Sequence, residues 1–459
     1  MKKMNNEGYR RFRTAMSLAL MLLLTTNFSC KTVNSEKKKE HPNLTKLKAH
    51  SSEFTPEIIA LGHNVYTAVG FDGSNTSMIV GEDGVIIIDA LRALGAAEKV
   101  AVKFREITPK PVKAIVYTHG HGDHTGGASA FITNEKDVII IAREGFKEEL
   151  QDLSPVGEVL KRRNARQFGR NLPKKDIINR GVAPGYTSKD RVGQGYLPPN
   201  RTFNDSLFIK VAGVQLELYA ADGETNDQLF VWTPQLKTLF SGDNYYKAFP
   251  NLYAIRGSRY RDVKEWGESI MKMSGFPVEH LVPGHTRPLS GKHRIHQCLD
   301  NYGTAILSVY DQTIKCMNDG YSLQQTVDHV KLPKTLAEQP NLQEFYGMIP
   351  WGVRSIYLHY VGWFDGSPSN LLPLSEMSEA KHMIEMVGGE RKMLQYVKDA
   401  IKESSFQWAL QLTDYLVCVG YEKAKVIDLR ILILKSLASQ QLNAPARNYY
   451  LSCAYELEN

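Results

Sequence analysis

Thr118-His119-Gly120-His121-Gly122-Asp123-His124-Thr125-Gly126-Gly127 gathers three imidazoles and a carboxylate within six positions. Such groups are costly to place together unless a cation holds them. Imidazole with carboxylate at H-x-H-x-D-H spacing suits zinc or a related transition metal. The interleaved glycines let the backbone turn tightly enough for alternate side chains to converge. His119 and His121 can point one way while Asp123 and His124 reach the other, so the spacing predicts two metal ions.

An apolar run, Ala114-Ile115-Val116-Tyr117, precedes the motif and reads as the strand that delivers it. Upstream, Met78-Ile79-Val80 and Val85-Ile86-Ile87-Ile88-Asp89 are joined by Gly81-Glu82-Asp83-Gly84, a hairpin pattern. Ala60 to Ala68 reads as one strand, Gly95 to Ile107 as a helix, and a further helix is expected from about Gly126. Val138 to Ala142 reads as a buried strand, completing a strand-helix-strand step. Phe146 to Pro199 loses periodicity and carries Lys161, Arg162, Arg163, Arg166 and Arg170. It reads either as a solvated charged face or as a lid beside the metals. Strands resume at Phe203, 207–211, 214–220, 228–233 and 238–241. Polar segments close three of the strands: Asp222-Gly223-Glu224-Thr225, Gly242-Asp243 and Gly284-His285. From Gln297 onward, apolar residues recur every three or four positions, which predicts a second, all-α unit.

Charge and composition exclude some functions. With 42% hydrophobic and 23% charged residues the composition is that of a soluble protein. The net charge is +7, yet 11 of the 56 Lys and Arg fall in the first 50 residues against 3 of the 49 Asp and Glu. The rest is close to neutral, so a nucleic-acid partner is not expected. Arg10, Arg11 and Arg13 before a short apolar core read as a secretory leader (1–29), and Ser29-Cys30 as a lipoprotein processing site. Residues 30–50 would be a tether, and the protein a periplasmic or outer-membrane lipoprotein of a Gram-negative bacterium. Cys298, Cys316, Cys418 and Cys453 form no CxxC pair. They are read either as disulfides or as buried thiols.

The histidine motif resembles the signature of the metallo-beta-lactamase superfamily. Where that superfamily commonly has a third histidine, this chain has Gly223-Glu224-Thr225, followed by Asp243 and Asn251-Leu252-Tyr253-Ala254-Ile255-Arg256-Gly257. This narrows the resemblance to the alkylsulfatases. It implies an α/β fold, a metallo-beta-lactamase αββα sandwich (51–296), followed by an all-α helical dimerisation domain (297–459). Arg354 to Pro368 and Pro445 to Leu451 resemble the two ends of that dimerisation domain, so a homodimer is expected. Carried over by position, His119, His121 and Glu224 hold one Zn2+ and Asp123, His124 and His285 the other, with Asp243 bridging. The alkylsulfatases generally bridge with Glu.

The activity implied is hydrolysis of an alkyl or aryl sulfate ester by a metal-held hydroxide, with Asp123 and Asp243 as catalytic groups. Three carboxylates and a hydroxide would neutralise two zinc ions, so the anionic substrate needs a further cation. Arg256, with the Asn251 amide, supplies it. Phe168 stands where the family has Tyr, Trp351 lies in a stretch that usually contains Ser-His-Asn, and the family's carrier-like domain does not follow Asn459. Two alternatives are a dinuclear-zinc hydrolase of another ester or a lactam, and a lipid-anchored binding protein with a vestigial metal site.

Overall fold

The computed structural model describes residues 40–133, 138–186, 193 and 195–459. The expected leader, Cys30 and the first part of the tether lie outside the described residues.

Short β-branched runs build two sheets. In the first, β1 (Glu57–Gly62), β2 (Val65–Val69), β3 (Thr76–Val80), β4 (Val85–Ile88), β5 (Val112–Val116), β6 (Ile139–Arg143) and β7 (Arg201–Phe203) lie side by side in chain order. β1 to β4 pair antiparallel and β4 to β7 parallel. The second sheet holds β8 (Ser206–Val211), β9 (Val214–Ala220), β10 (Leu229–Thr233), β11 (Thr238–Gly242), β12 (His280–Pro283) and β13 (Leu289–Ser290). Its order is β13-β12-β11-β10-β9-β8, with only β11 and β12 parallel. Parallel neighbours need a crossover. The helix Leu94–Ile107 provides it between β4 and β5, and Val263–Ser274 between β11 and β12.

Alternation along each strand decides what meets what. Ile86, Ile88, Ala114 and Val116 face Leu216, Leu218, Val231 and Phe240 in a core between the sheets. Ile87 and Ile115 turn the other way, onto Val100 and Phe104 of the helix Leu94–Ile107. Phe230 and Trp232 of the second sheet pack on Trp266 and Ile270. The result is the expected αββα sandwich.

Two local expectations need correction. Ala60 to Ala68 is not one strand: His63 and Asn64 take φ of 49° and 63° and turn the chain between β1 and β2. Two successive left-handed residues are the geometry of a tight hairpin, entered here through Gly62 at φ 85°. Nor does a long helix begin at Gly126. Only Gly122–Thr125 and a 3-10 turn, Ala128–Ala130, form there. A Cβ on Gly126 would collide with the Arg92 carbonyl and one on Gly127 with the Ala97 side chain, so the backbone runs against its neighbours instead of coiling freely.

The all-α unit follows as expected. Lys292–Asn318, a helix of 27 residues, crosses the expected boundary at 296 and packs Ile295, Leu299, Tyr302 and Ile306 into the core under the second sheet. Leu323–His329 starts on a Ser322/Gln325 capping box. Ile349–Val361, Glu376–Met386, Glu390–Lys402, Phe406–Val419, Lys423–Ser439 and Ala444–Glu458 complete it. Cys298, Cys316, Cys418 and Cys453 are free thiols. No helix among the described residues is long and apolar enough to cross a membrane.

Two stretches tie the units together. Pro42–His50, within the expected tether, is a helix whose Leu47 is wholly buried beside Tyr246, Phe345, Tyr346 and Ala444. The basic stretch after Phe146 forms the helices Glu148–Asp152 and Gly157–Gln167, the second lying against Ala444–Glu458. Arg166 donates to both Glu456 carboxylate oxygens at 3.0 and 2.6 Å, and Arg447 Nη1 donates to the Asp176 carbonyl at 2.8 Å.

Candidate metal centre and anion cavity

Four chain segments converge at one end of the sandwich. His119 and His121 leave the end of β5, and His124 sits in the turn Gly122–Thr125. Glu224 follows β9, Asp243 follows β11 and His285 follows β12. His119, His121 and Asp243 offer ligand atoms within 4.8 Å of one another, and so do Asp123, His124 and His285. Asp243 joins the two groups. Its Oδ1 lies 3.3 Å from His124 Nε2, and its Oδ2 lies 3.1 Å from His285 Nε2 and 3.7 Å from His119 Nε2. A Cβ on Gly284 would collide with Asp243 Oδ1 and His124 Cε1, so this close approach requires glycine.

Glu224 stands slightly apart. Its Oε1 is 4.0 Å from His121 Nδ1 but 2.9 Å from Arg261 Nη2, a buried ion pair. Arg261 is anchored by donating from Nη1 to the Asn251 carbonyl at 2.6 Å. Burial pushes the Glu224 carboxyl up to about 7, against the pull of Arg261.

The donor set fits metal ions. His124 Nε2, Asp243 Oδ1 and Glu224 Oε2 are buried without a hydrogen-bond partner, an expensive state for polar atoms that a cation relieves. His119 Nε2 and His121 Nδ1 face each other at 2.9 Å, as two lone pairs do around a shared ion. The outer nitrogens are fixed. His124 Nδ1 donates to Asp89 Oδ2 at 2.7 Å and His285 Nδ1 to the Gly73 carbonyl at 2.8 Å, leaving each Nε2 facing inward. Without a cation, burial and His124 push His119 down to about 3. Burial also opposes the charge on Asp123, but Arg92 at 3.7 Å and the neighbouring imidazoles outweigh it and hold the carboxyl well below its usual range.

Above the ligands lies a cavity of about 190 Å3, bordered by His121, Asp123, Glu224, Asp243 and His285 and by three arginines, Arg92, Arg180 and Arg256. Arg256 is half-buried. Its backbone N–H donates to Gln167 Oε1 at 2.7 Å and its Nη1 to the Gly257 carbonyl at 2.9 Å. Asn251 is not among the lining residues; it is buried with its amide nitrogen unpartnered. Leu150, Asn164, Phe168, Val182 and Ala183 bring the basic stretch to the wall, which favours the covering reading over a solvated face. Tyr346, stacked on Phe168 at 6.4 Å, adds a phenol to the wall that Phe168 lacks. Trp351 is not among the lining residues.

Residues 69–285 match the metallo-beta-lactamase superfamily and residues 322–459 the alkyl sulfatase dimerisation family. A linear primary-alkylsulfatase from Pseudomonas sp. is 33% identical over 390 residues, covering 83% of this chain and 73% of its own length. The chain belongs to the alkylsulfatase family. Its metallo-beta-lactamase domain and helical dimerisation region are those of a sulfuric ester hydrolase. An alkyl/aryl-sulfatase from Saccharomyces cerevisiae is 28% identical over 407 residues, 86% of this chain; the chain spans 62% of that alkylsulfatase relative. The solved structure of a stereoselective inverting sec-alkylsulfatase from Pseudomonas sp. superposes with a TM-score of 0.83 at 26% identity, over 92% of this alkylsulfatase-family chain and 69% of that one.

Asp89, Arg92, Arg180, Arg261 and Tyr346 were not singled out in the sequence. Arg261 alone had a local signal, four residues past the Asn-Leu-Tyr-Ala-Ile-Arg-Gly string.

Proposed function

We propose that the protein hydrolyses alkyl or aryl sulfate esters at a dinuclear zinc centre, with Arg256 gripping the sulfate group. The observation that supports it most is the adjoining of two three-ligand groups through Asp243 under a cavity bordered by cationic side chains. Two zinc ions held by His119, His121 and Glu224 and by Asp123, His124 and His285, with Asp243 between them, would supply an activated water and positive charge for the sulfate oxygens. Arg256, fixed through Gln167 and Gly257, offers a planar fork that matches two oxyanion oxygens. Asp123, kept ionised beside Arg92, would help hold the second zinc ion and accept a hydrogen bond that orients the attacking water. Burial raises the Tyr346 hydroxyl above its ordinary range, so it stays protonated and can donate from the wall. Asn251 serves the site indirectly: its carbonyl holds Arg261, which neutralises Glu224.

Homodimerisation through the helical region, and export with a lipid on Cys30, belong to the same proposal. Mass of the released protein in solution, and label from a radioactive fatty acid lost on Cys30→Ser, test them separately.

Release of inorganic sulfate from dodecyl sulfate and from a short aryl sulfate, with zinc counted on the same sample, tests the activity. Two zinc ions per chain and sulfate release that falls about a hundredfold or more on Arg256→Ala are expected. Phe168 in the wall, where a hydroxyl was expected, favours one second reading, a different ester or a lactam. Turnover of those compounds with no sulfate released would establish it instead.

A further inference from the structure

Arg180 lies in the stretch that follows the helix Gly157–Gln167 and comes from a different segment than Arg256. It is 3% exposed, yet its side chain borders the cavity. Its backbone and its Nε are held, and a tyrosine ring covers its guanidinium. The backbone N–H donates to the Ala183 carbonyl at 2.8 Å and Nε to the Pro184 carbonyl at 2.6 Å. The guanidinium lies flat enough on Tyr186 to bring its centre 4.1 Å from the ring centroid. Its Nη2 is buried and has no hydrogen-bond partner. A guanidinium nitrogen in that state is costly, because it has given up water and received nothing.

Gly73 locates this atom. A Cβ built there would lie 3.5 Å from Arg180 Nη2 and 3.5 Å from Asp123 Oδ2, so both atoms border the same small volume beside the ligand groups. The carboxylate whose charge acts on Arg180 does not close onto it. Asp72 spends Oδ2 on the Arg92 and Ala93 amides at 2.9 and 2.7 Å, and its Oδ1 makes no hydrogen bond. Tyr186 concentrates further positive charge, since Arg92 Nη1 and Arg170 Nη2 donate to its hydroxyl at 2.9 and 3.3 Å.

We infer that Arg180 is the second sulfate-binding residue of the cavity, opposing Arg256 with a preset donor for the tetrahedral oxyanion of the ester and of the sulfate it releases. The inference rests on the sulfatase reading above. The chemistry explains why two guanidiniums are useful. A sulfate monoester, ROSO3−, carries one negative charge; water adds, ROH leaves, and the hydrogensulfate formed ionises to a dianion at neutral pH. A donor already in place, with no water to shed, binds the more highly charged species better than the substrate.

Titration calorimetry of the zinc-loaded protein with inorganic sulfate tests this without turnover. Arg180→Gln is expected to weaken sulfate about tenfold or more, with zinc content as in the wild type and a cooperative thermal transition that shows it folded. Arg180→Lys keeps the charge but loses the fork and is expected to weaken sulfate about threefold or more; it decides the question if the Gln variant does not fold. Wild-type sulfate affinity in a folded, zinc-loaded Arg180 variant overturns the inference. If that happens while the wild type still releases sulfate from esters, the sulfatase reading stands. A wild type that releases none, yet binds sulfate through Arg180, leaves the anion site and removes the activity. A wild type that binds no sulfate removes the inference.

Discussion

His124 Nδ1 lies 2.7 Å from Asp89 Oδ2, and the same carboxylate accepts the backbone N–H and the hydroxyl of Thr118 at 2.8 and 2.9 Å. Asp89 thus fixes one ligand ring and the backbone that carries His119. It does so from a left-handed backbone conformation, φ 57°, rare for a non-glycine residue. Asp89→Ala should lower zinc affinity about ten- to a hundredfold, measured by competition with a chromophoric chelator. Unchanged affinity would show that the ring needs no such support.

Arg261 and Glu224 form a buried pair whose carboxylate borders the cavity. Removing one partner leaves the other charge buried and alone, a cost of about 3–5 kcal/mol. Arg261→Met should therefore lower the denaturant midpoint of the metal-free protein sharply, and adding Glu224→Gln should restore part of the loss. Equal midpoints for all three proteins would mean that the pair carries no net stability.

His50 stacks on Phe345 at 3.9 Å and donates from Nε2 to the Gly181 carbonyl at 2.7 Å. Burial, the largest influence, holds its pKa below the ordinary 6.5. The unfolded chain then binds the proton more readily than the folded one. Stability is intact above 6.5 and falls as pH drops through 6.5 toward the folded pKa. The difference in thermal midpoint between wild type and His50→Gln should shrink on going from pH 7.5 to pH 5. A constant difference would exclude this histidine as a source of acid sensitivity.

Trp363, Leu372 and Met386 are 73%, 90% and 71% exposed in the single chain. Large apolar side chains so placed in the dimerisation region mark a surface to be covered. The double variant Trp363→Glu, Leu372→Glu should sediment as a monomer at concentrations where the wild type is a dimer. A dimer that persists would place the interface elsewhere.

The convergence of the candidate ligands was legible because most of them are local. His119, His121, Asp123 and His124 share one turn, and Glu224, Asp243 and His285 each end an apolar strand. The sandwich was legible for the same reason, in runs such as Val85 to Ile88. What escaped was built by distance or by backbone conformation. Arg180 reaches the ligands only after the chain folds back over them, and in the sequence it is one arginine in a basic stretch. Asp89 read as the polar end of a strand, and Arg92, three positions on, had no signal of its own. The His63-Asn64 turn places its glycine, Gly62, ahead of the two left-handed residues and not in the Asn-Gly order that announces a hairpin, so the hairpin passed for a strand. Asn251 illustrates the converse: the string around it is specific, yet it is not among the residues lining the cavity.

The brace between Arg166 and Glu456 spans 290 positions of chain. Contacts of that separation close late, since the intervening loop must be organised first. The candidate ligand residues all lie before position 286, so a nascent chain carries that whole candidate set long before the helix Ala444–Glu458 exists. The wall that carries Asn164 and Phe168 gains its support only when synthesis has passed that helix. A ribosome-stalled chain ending near residue 440 is thus expected to take up zinc while leaving the cavity open to solvent.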